Sequence, residues 1–319
     1  MMYPWLEKQW QKITEAIEDQ RLPHAIMLIG QQGLGKFNFA MQLAQRALCL
    51  QPQAGKSCGH CHSCQLVKAG THADLQMVAP LEDSKVLKVD QIRELIERNS
   101  LTPHISTIKI HLICDADKMN SNAANSLLKT LEEPSPNSLL ILLSSRPDNL
   151  PATIRSRCQQ IKFLAPEREI ALNWLQHQAL TQSPELLLSM AQGAPLTALA
   201  LDNAEIIQLR KEVFAGFGKV IFKKLDPVEV ANHWQSLDLP QILQWMTNWT
   251  VDMMRLKFSH DQSKIDNVDL LAGLKKIADY KSRDQLLMLY KNLLEATRLL
   301  QTQVNQNLLT ESLLLKWVQ

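Results

Sequence analysis

The sequence predicts an α/β module followed by an all-α region, and three observations support this division. Short apolar runs alternate with helix-like segments over the first 165 residues, as in a parallel sheet that is flanked by helices. Beyond Ala165 and Pro166 there is no convincing strand pattern, and amphipathic segments take over. Four of the six cysteines lie between positions 49 and 64, which indicates a small insert inside the first module.

The strands of the first module are indicated by continuous apolar runs. Ala25–Ile29 is one run, and residues 108–114 and 139–143 are two others. Such runs are typical of strands that are buried on both faces of a parallel sheet. Apolar residues at helical spacing follow the first run after a glycine-rich turn, and residues 122–133 predict a second helix that ends before Pro134.

The remainder of the chain predicts helices only. Residues 166–205 suggest short helices with a turn at Gly193, and residues 206–319 suggest longer amphipathic ones. We therefore expect three domains, spanning residues 1–165, 166–205 and 206–319. The cysteine insert lies within the first of them, at about residues 49–64.

Composition narrows the classes of protein that are possible. The chain has 319 residues, of which 45% are hydrophobic, so it can bury cores and is not a disordered tail. Its 34 basic and 32 acidic residues leave a net charge of +2, which excludes a histone-like DNA coat but allows a local DNA-binding patch. No apolar run approaches the roughly 18 to 20 residues that cross a bilayer, and the N-terminal segment does not resemble a signal peptide. We expect a cytoplasmic protein.

The glycine-rich turn matches most of a phosphate-binding loop. Gly30, Gly33, Gly35 and Lys36 lie between the first strand and the first predicted helix of the sheet. Glycines let backbone N–H groups close around phosphates, and the lysine reaches the outer phosphates. The hydroxyl that follows the lysine in such loops binds Mg²⁺, but Phe37 stands there. An ordinary strand–turn–helix corner is the alternative interpretation.

A second acidic position follows the apolar run of residues 108–114. Asp115 is well placed to support a hydrated Mg²⁺, but hydrolytic NTPases usually carry a water-activating glutamate after that acid, and position 116 is alanine. Asp117 would extend from another face of the strand end. Two required groups are therefore missing, and we expect no ATP hydrolysis at this site. ATP binding remains open because the glycines and Lys36 are present.

The four clustered cysteines predict a structural zinc site. Cys58, Cys61 and Cys64 are each separated by two residues, and Cys49 precedes them. Four thiolates suit tetrahedral Zn²⁺. An iron–sulfur cluster is the main alternative, although its usual downstream cysteine followed by proline is absent. Free or redox-active thiols are the other alternative.

Several motifs together resemble one family, the AAA+ clamp-loader subunits of bacterial DNA polymerase III. They are the incomplete phosphate loop, the cysteine insert, Asp115 and two segments, Leu-Leu-Lys-Thr-Leu-Glu-Glu-Pro at 127–134 and Leu-Pro-Ala-Thr-Ile-Arg-Ser-Arg-Cys at 150–158. The resemblance spans the whole chain and is greatest to the delta-prime group. It implies an AAA+ nucleotide-binding module, a small helical lid and a helical collar that joins five subunits in a ring.

The resemblance also implies a division of labour between subunits. Arg157 is expected to act as an arginine finger that reaches the ATP site of a neighbouring subunit, because a planar cation stabilises charge that develops on the γ-phosphate. The implied partners are the motor and clamp-opening subunits, primer–template DNA as part of the ring, and the sliding clamp through the complex. The chain would then be a subunit of the polymerase III holoenzyme that is not catalytic alone.

Three departures from the ATP-hydrolysing members favour this assignment. Phe37 and Ala116 replace a hydroxyl residue and a glutamate, and Leu196 stands where the lid of those members carries a nucleotide-sensing arginine. An ATP-hydrolysing motor-type subunit, or a related AAA+ DNA ATPase, is the first alternative. A zinc scaffold that binds proteins without any ATPase role is the second.

Overall fold

The computed structural model describes residues 2–81, 86–99, 101–259, 265–300, 302 and 304–318. The chain forms two compact units, Met1–Ala171 and Leu172–Gln319. The first is α/β and the second is all-α, so the predicted fold class is confirmed. The finer division into three domains, with joints near residues 165 and 206, stays a prediction.

The first unit contains a sheet of five parallel strands in the order β2–β3–β4–β1–β5. The strands are β1 (Ala25–Ile29), β2 (Leu75–Val78), β3 (Lys109–Ile113), β4 (Ser138–Ser144) and β5 (Gln159–Lys162). The three predicted strands are the central ones. Because all strands run the same way, the loops that follow β1, β3 and β4 meet at one edge of the sheet, where open α/β sheets bind ligands.

Seven helices are described that lie within or begin in the first unit. They are α1 (Glu7–Glu18), α2 (Lys36–Leu48), α3 (His62–Ala69), α4 (Val89–Asn99), α5 (Ser121–Glu132), α6 (Ala152–Arg155) and α7 (Arg168–Gln176). Helix α5 begins where the side chain of Asn120 accepts a hydrogen bond from the N–H of Ala123, and it ends before Pro134. Apolar residues of α4 and α5 share one buried cluster with Met27 and Leu142 of the sheet.

Eight helices are described in the second unit beyond α7. They are α8 (Pro184–Met190), α9 (Pro195–Ala200), α10 (Ala204–Ile221), α11 (Pro227–Trp234), α12 (Leu239–Phe258), α13 (Leu271–Tyr280), α14 (Arg283–Leu299) and α15 (Gln306–Val318). Their core is centred on aromatic side chains, and Phe217 contacts both Trp249 and Trp317. In the described part of the chain, none of the helices is both long and apolar enough to span a membrane.

One buried charge connects three segments of this helical unit. The guanidinium of Arg210 in α10 is fully buried and donates to the carboxylate of Asp269 at 2.7 Å and to the side-chain oxygen of Asn267 at 2.5 Å. Asn267 in turn donates to the buried carboxylate of Asp252 in α12 at 2.8 Å. Buried charges require such partners, so this network connects the segment before α13 with α10 and α12.

Candidate functional site

The glycine-rich loop lies at the carboxyl end of β1, as its sequence predicts. Gly30 donates its N–H to the carbonyl of Ser144 at the end of β4, and a Cβ atom at Gly30 would lie 2.3 Å from the carbonyl oxygen of Phe163. Gly35 has a φ of +89° and caps α2. The glycines at positions 30 and 35 are therefore required by close backbone approach and by a left-handed conformation.

Lys36 is bonded to its own loop. Its ammonium group donates to the carbonyl oxygens of Gly30 at 2.6 Å and Gln31 at 2.8 Å, and to the hydroxyl of Ser145 at 3.2 Å. Burial lowers the pKa of Lys36 to about 8, against the opposing effect of the nearby carboxylates of Asp117 and Asp115. The lysine that would reach a phosphate is thus held by protein oxygens in this conformation.

The N-terminal segment covers the outer side of the loop. The indole N–H of Trp5 donates to the carbonyl of Leu34 at 3.0 Å, and Trp5 stacks on Tyr3 with ring centroids 4.9 Å apart. A Cβ atom at Gly35 would lie 2.7 Å from the ring of Tyr3. These contacts were missed by sequence reasoning, because nothing in residues 3–5 indicates which loop they pack against.

The acidic positions after β3 are also engaged within the chain. The carboxylate of Asp115 pairs with Lys118 at 2.9 Å, and Asp115 itself has a left-handed backbone with a φ of +50°. Ala116 is fully buried. Asp117 accepts the N–H of Ser145 at 2.9 Å, so Asp117 fixes the residue that also contacts Lys36.

Phe37 occupies the second position of α2 and is about half-exposed, at 49%. Its side chain has no oxygen that could bind a metal ion. Leu196, the third departure, lies in α9 of the second unit and is partly buried. Lys36 contacts the loop between β4 and α6 through Ser145. Asp115 and Asp117 lie in the segment that follows the neighbouring strand β3, and Asp117 contacts the same loop.

Arg157 lies just after α6 and is partly exposed, at 35% of its side chain. Its guanidinium donates to the carbonyl of Thr153 at 3.0 Å and forms an ion pair with the carboxylate of Glu132 at 2.7 Å. The nearby Arg155 pairs instead with Asp148 at 2.9 Å. These contacts hold Arg157 at the end of α5 and α6, and none of them involves the glycine-rich loop.

The four cysteines form one cluster, as their spacing predicts. Cys49 follows α2, Cys61 caps α3, and Cys64 is buried in the first turn of α3. The four sulfur atoms all lie within 4.8 Å of one another. Cys49 Sγ lies 3.6 Å from Cys58 Sγ and 4.0 Å from Cys61 Sγ.

The cluster fits a tetrahedral metal ion. With Zn–S bonds of about 2.3 Å, the sulfur atoms of a tetrahedron are roughly 3.8 Å apart, and the distances above bracket that value. Backbone N–H groups of Cys58 and Cys61 also point at the sulfurs of Cys49 and Cys58, both at 3.3 Å, as suits thiolate acceptors. The geometry supports a metal-binding site, and its occupation by zinc stays a prediction.

A buried polar network beside this cluster was not predicted. Ser63 is fully buried and lies within hydrogen-bonding distance of His72, 2.9 Å from the ring Nε2 atom. Asp74 accepts three backbone N–H groups, from His104, Ile105 and Ser106. Burial is the main cause that lowers the pKa of His72, and the three N–H groups outweigh burial in lowering the pKa of Asp74. Ser63, His72 and Asp74 lie close to the cysteines in sequence, but no local pattern links them to residues 104–106.

Comparisons with known proteins cover nearly the whole chain. A family model described as "DNA polymerase III, delta subunit" matches residues 5–167, and one described as "DNA polymerase III, delta subunit, C terminal" matches residues 204–319. The DNA polymerase III subunit delta' of Pseudomonas aeruginosa is 34% identical, with 99% of this chain and 97% of that protein aligned. The corresponding subunit of Escherichia coli is 31% identical, with 98% and 94% aligned.

A different subunit type matches less of the chain. The DNA polymerase III subunit tau/gamma of Haemophilus influenzae is 30% identical over 63% of this chain and 30% of that protein. The two delta' relatives, by contrast, align from end to end with this chain. The family resemblance that the motifs indicated is confirmed, and this chain belongs to the delta-prime family of bacterial DNA polymerase III subunits.

Proposed function

We propose that the chain is a clamp-loader subunit of replicative DNA polymerase III that supplies Arg157 to the ATP site of a neighbouring subunit. The clamp-loader role is supported by family membership over nearly the full length of the chain. In this role the chain joins motor and clamp-opening subunits in a ring. It meets primer–template DNA as part of that ring and reaches the sliding clamp through the complex.

One observation carries the arginine-finger part of the proposal. The side chain of Arg157 is partly exposed, and the contacts described for it are an ion pair with Glu132 and a bond to the carbonyl of Thr153. A guanidinium has five N–H donors in a planar fork, so donors remain for a phosphate while these contacts hold the side chain. An arginine that stabilises charge on a transferred phosphoryl group is worth roughly 10³- to 10⁵-fold in rate.

The chain's own nucleotide site is proposed to lack hydrolytic activity. Phe37 and Ala116 provide neither the Mg²⁺-binding hydroxyl nor the water-activating carboxylate that such sites use. Lys36 is bonded to the carbonyls of its own loop. Lys36 can contact a phosphate of ATP only after these hydrogen bonds break. We therefore expect ATP to bind weakly or not at all.

The cysteine cluster is proposed to hold one structural Zn²⁺ through Cys49, Cys58, Cys61 and Cys64. Four thiolates leave no open position for a substrate or a water molecule, which is typical of structural rather than catalytic zinc. The ion would stabilise the turn between α2 and α3 and has no direct part in ATP hydrolysis.

The decisive experiment compares two neighbouring arginines in the reconstituted loader. Arg157→Ala should lower the clamp- and DNA-stimulated rate of ATP hydrolysis by about 10³-fold at the site it serves, with assembly of the ring unchanged. Arg155→Ala is the matched control, since Arg155 lies on the same segment and pairs with Asp148. Unchanged turnover in the Arg157 variant would exclude the finger role.

The motor-type alternative makes the opposite prediction for the isolated chain. The match to a tau/gamma subunit over part of the sequence and the retained Lys36 favour it. Appreciable phosphate release from ATP by the purified chain alone would support that alternative. A titration with fluorescent ATP in the same preparation separates binding from hydrolysis.

A further inference from the structure

The last carbonyl group of the helix that precedes the cysteine cluster accepts two hydrogen bonds. Leu48 is the last residue of α2, and its carbonyl oxygen accepts from the hydroxyls of Ser63 at 2.7 Å and Ser106 at 2.8 Å. Helix ends leave such carbonyls without partners unless other groups supply donors. Leu48 directly precedes Cys49, and Ser63 directly precedes Cys64. One bond therefore joins the two segments that carry these cysteines.

The hydrogen bond between His72 and Ser63 also has a single direction. Its Nδ1 atom accepts the N–H of Asp74 at 3.0 Å, and a neutral imidazole with an accepting Nδ1 carries its proton on Nε2. Nε2 lies 2.9 Å from Ser63 Oγ, so it donates to Ser63, and Ser63 donates onward to Leu48. Ser63 thus accepts a hydrogen bond from His72 and donates one to Leu48. His72 does not act as a base toward Ser63.

The far end of the network reaches the sheet. Asp74 directly precedes β2, and its buried carboxylate accepts the N–H groups of His104 at 2.6 Å, Ile105 at 2.8 Å and Ser106 at 2.8 Å. Ser106 returns its hydroxyl to the carbonyl of Leu48. The loop before β3 and the segment before β2 are therefore both bonded to the end of α2.

We propose that His72 is a positioning residue for the four-cysteine site, and that it couples metal binding to the order of the loop at residues 104–106. His72 and Ser63 fix the distance between the segments of Cys49 and Cys64. The same ring and Ser106 link those segments to Asp74 and to the loop. Metal binding at the cysteines and order in the loop therefore stabilise each other.

The physical basis is that polar groups outside a metal's ligands orient those ligands. Loss of such a group commonly weakens metal binding by about 10- to 100-fold. Ser63, His72 and Asp74 are buried, with His72 at 4% and Asp74 at 2% exposure, so a bond lost among these three side chains leaves a buried polar group without its partner. Coupling between two sites is also reciprocal by thermodynamic necessity.

The test uses the full chain and Zn²⁺ in competition with a chelator of known affinity. His72→Ala should weaken zinc binding by about 10- to 100-fold, and His72→Gln, whose amide keeps a donor, should recover part of that loss. His62→Ala is the matched control: His62 is exposed and lies between Cys61 and Cys64, and its loss should leave the affinity unchanged.

Amide hydrogen exchange provides the second measurement. In the wild-type chain, removal of zinc should accelerate exchange at Ile105 and Ser106, whereas amides of β1 and β4 should stay protected. In His72→Ala the exchange at Ile105 and Ser106 should already be fast and should respond little to zinc. A merely structural histidine would leave zinc affinity unchanged in the folded variant.

Three outcomes would overturn the proposal. They are a wild-type chain that binds no zinc, an unchanged zinc affinity in His72→Ala, and exchange at residues 104–106 that does not respond to zinc in the wild type. If His72→Ala does not fold without metal, Ser106→Ala serves in its place. That variant keeps the bond between Ser63 and Leu48. It should lose the response of the loop and, because the coupling is reciprocal, part of the zinc affinity, and a loop that still responds to zinc in this variant would contradict the proposal.

Discussion

The carboxylate of Glu132 lies 2.7 Å from the guanidinium of Arg157. Glu132 ends α5 and belongs to the segment that reads Leu-Glu-Glu-Pro, and Arg157 belongs to Ser-Arg-Cys. Two of the motifs that indicated the family are therefore in direct contact. The ion pair links the two motifs, because Glu132 of one holds the arginine of the other that we propose as the arginine finger.

We predict that Glu132→Ala lowers the ATPase rate of the reconstituted loader by about two- to fivefold. A half-exposed ion pair is worth up to about 1 kcal/mol, and 1.4 kcal/mol corresponds to a tenfold change in rate. The maximal rate should fall while the KM for ATP changes little, because Glu132 orients Arg157 and does not bind the nucleotide. Glu133→Ala is the control, and a loss as large as that of Arg157→Ala would contradict a positioning role.

The buried ammonium of Lys36 predicts a pH dependence of stability. The pKa of Lys36 is about 8 in the folded chain, below its ordinary value of 10.5. Between these two values the unfolded chain binds more protons, so the contribution of Lys36 to the free energy of unfolding rises with pH. The stability of the wild type relative to Lys36→Met should rise by about 2 to 3 kcal/mol between pH 7.5 and pH 10. Urea denaturation of both proteins measures this difference, and a flat difference would contradict the burial of the charge.

Restoring the missing hydroxyl should not restore hydrolysis. Phe37→Thr supplies an oxygen for Mg²⁺, but Lys36 remains bonded to its loop and position 116 remains a buried alanine. We expect no phosphate release by the isolated variant above that of the wild type. Multiple turnovers by Phe37→Thr alone would show that Phe37 is the sole defect.

The amount of bound metal should depend on the four clustered cysteines and not on the other two. The purified chain should contain one zinc ion, and Cys58→Ser should lose it because only three thiolates then remain. Cys114→Ser and Cys158→Ser should retain it, since neither residue belongs to the cluster. Elemental analysis after gel filtration measures the stoichiometry, and bound iron would favour an iron–sulfur cluster instead.

The helical unit should depend strongly on Arg210. Arg210→Ala removes a fully buried side chain and leaves the buried side-chain oxygen of Asn267 without its donor, and a buried acceptor left without a partner costs about 1 to 3 kcal/mol. Chemical denaturation followed by tryptophan fluorescence reports on this unit through Trp249 and Trp317. Lys211→Ala, at an exposed neighbouring position, is the control and should change stability little.

The central strands were predictable because both of their faces are buried. The run Ala25–Ile29 agrees with β1 to the residue, since apolar side chains are needed on both sides of it. The strands β2 and β5 lie at the two edges of the sheet. Met77 in β2 is 53% exposed, and Gln159 and Gln160 in β5 are exposed as well. Edge strands that carry such mixed side chains do not differ from loops in their apolar pattern.

The site was predictable only where its parts are close in sequence. The spacing of the cysteines correctly predicted that the four sulfur atoms lie together. The glycine pattern likewise predicted that the loop at Gly30 follows β1. The bonds of Lys36 with Ser145 and of Ser63 with Ser106 depend instead on how distant segments are aligned. No local pattern encodes that alignment, so these partners became visible only in the folded chain.

The order of the strands has a consequence for synthesis of the chain. β1 pairs with β4 at Leu140 and with β5 at Gln159, so it has no neighbour in the sheet until more than a third of the chain has followed it. At ribosomal rates of 5 to 20 residues per second this delay lasts roughly 6 to 23 s. The cysteine module, whose four ligands lie between positions 49 and 64, is complete long before that. A module that binds its metal, as we propose, would do so before β1 pairs with any other strand of the nascent chain.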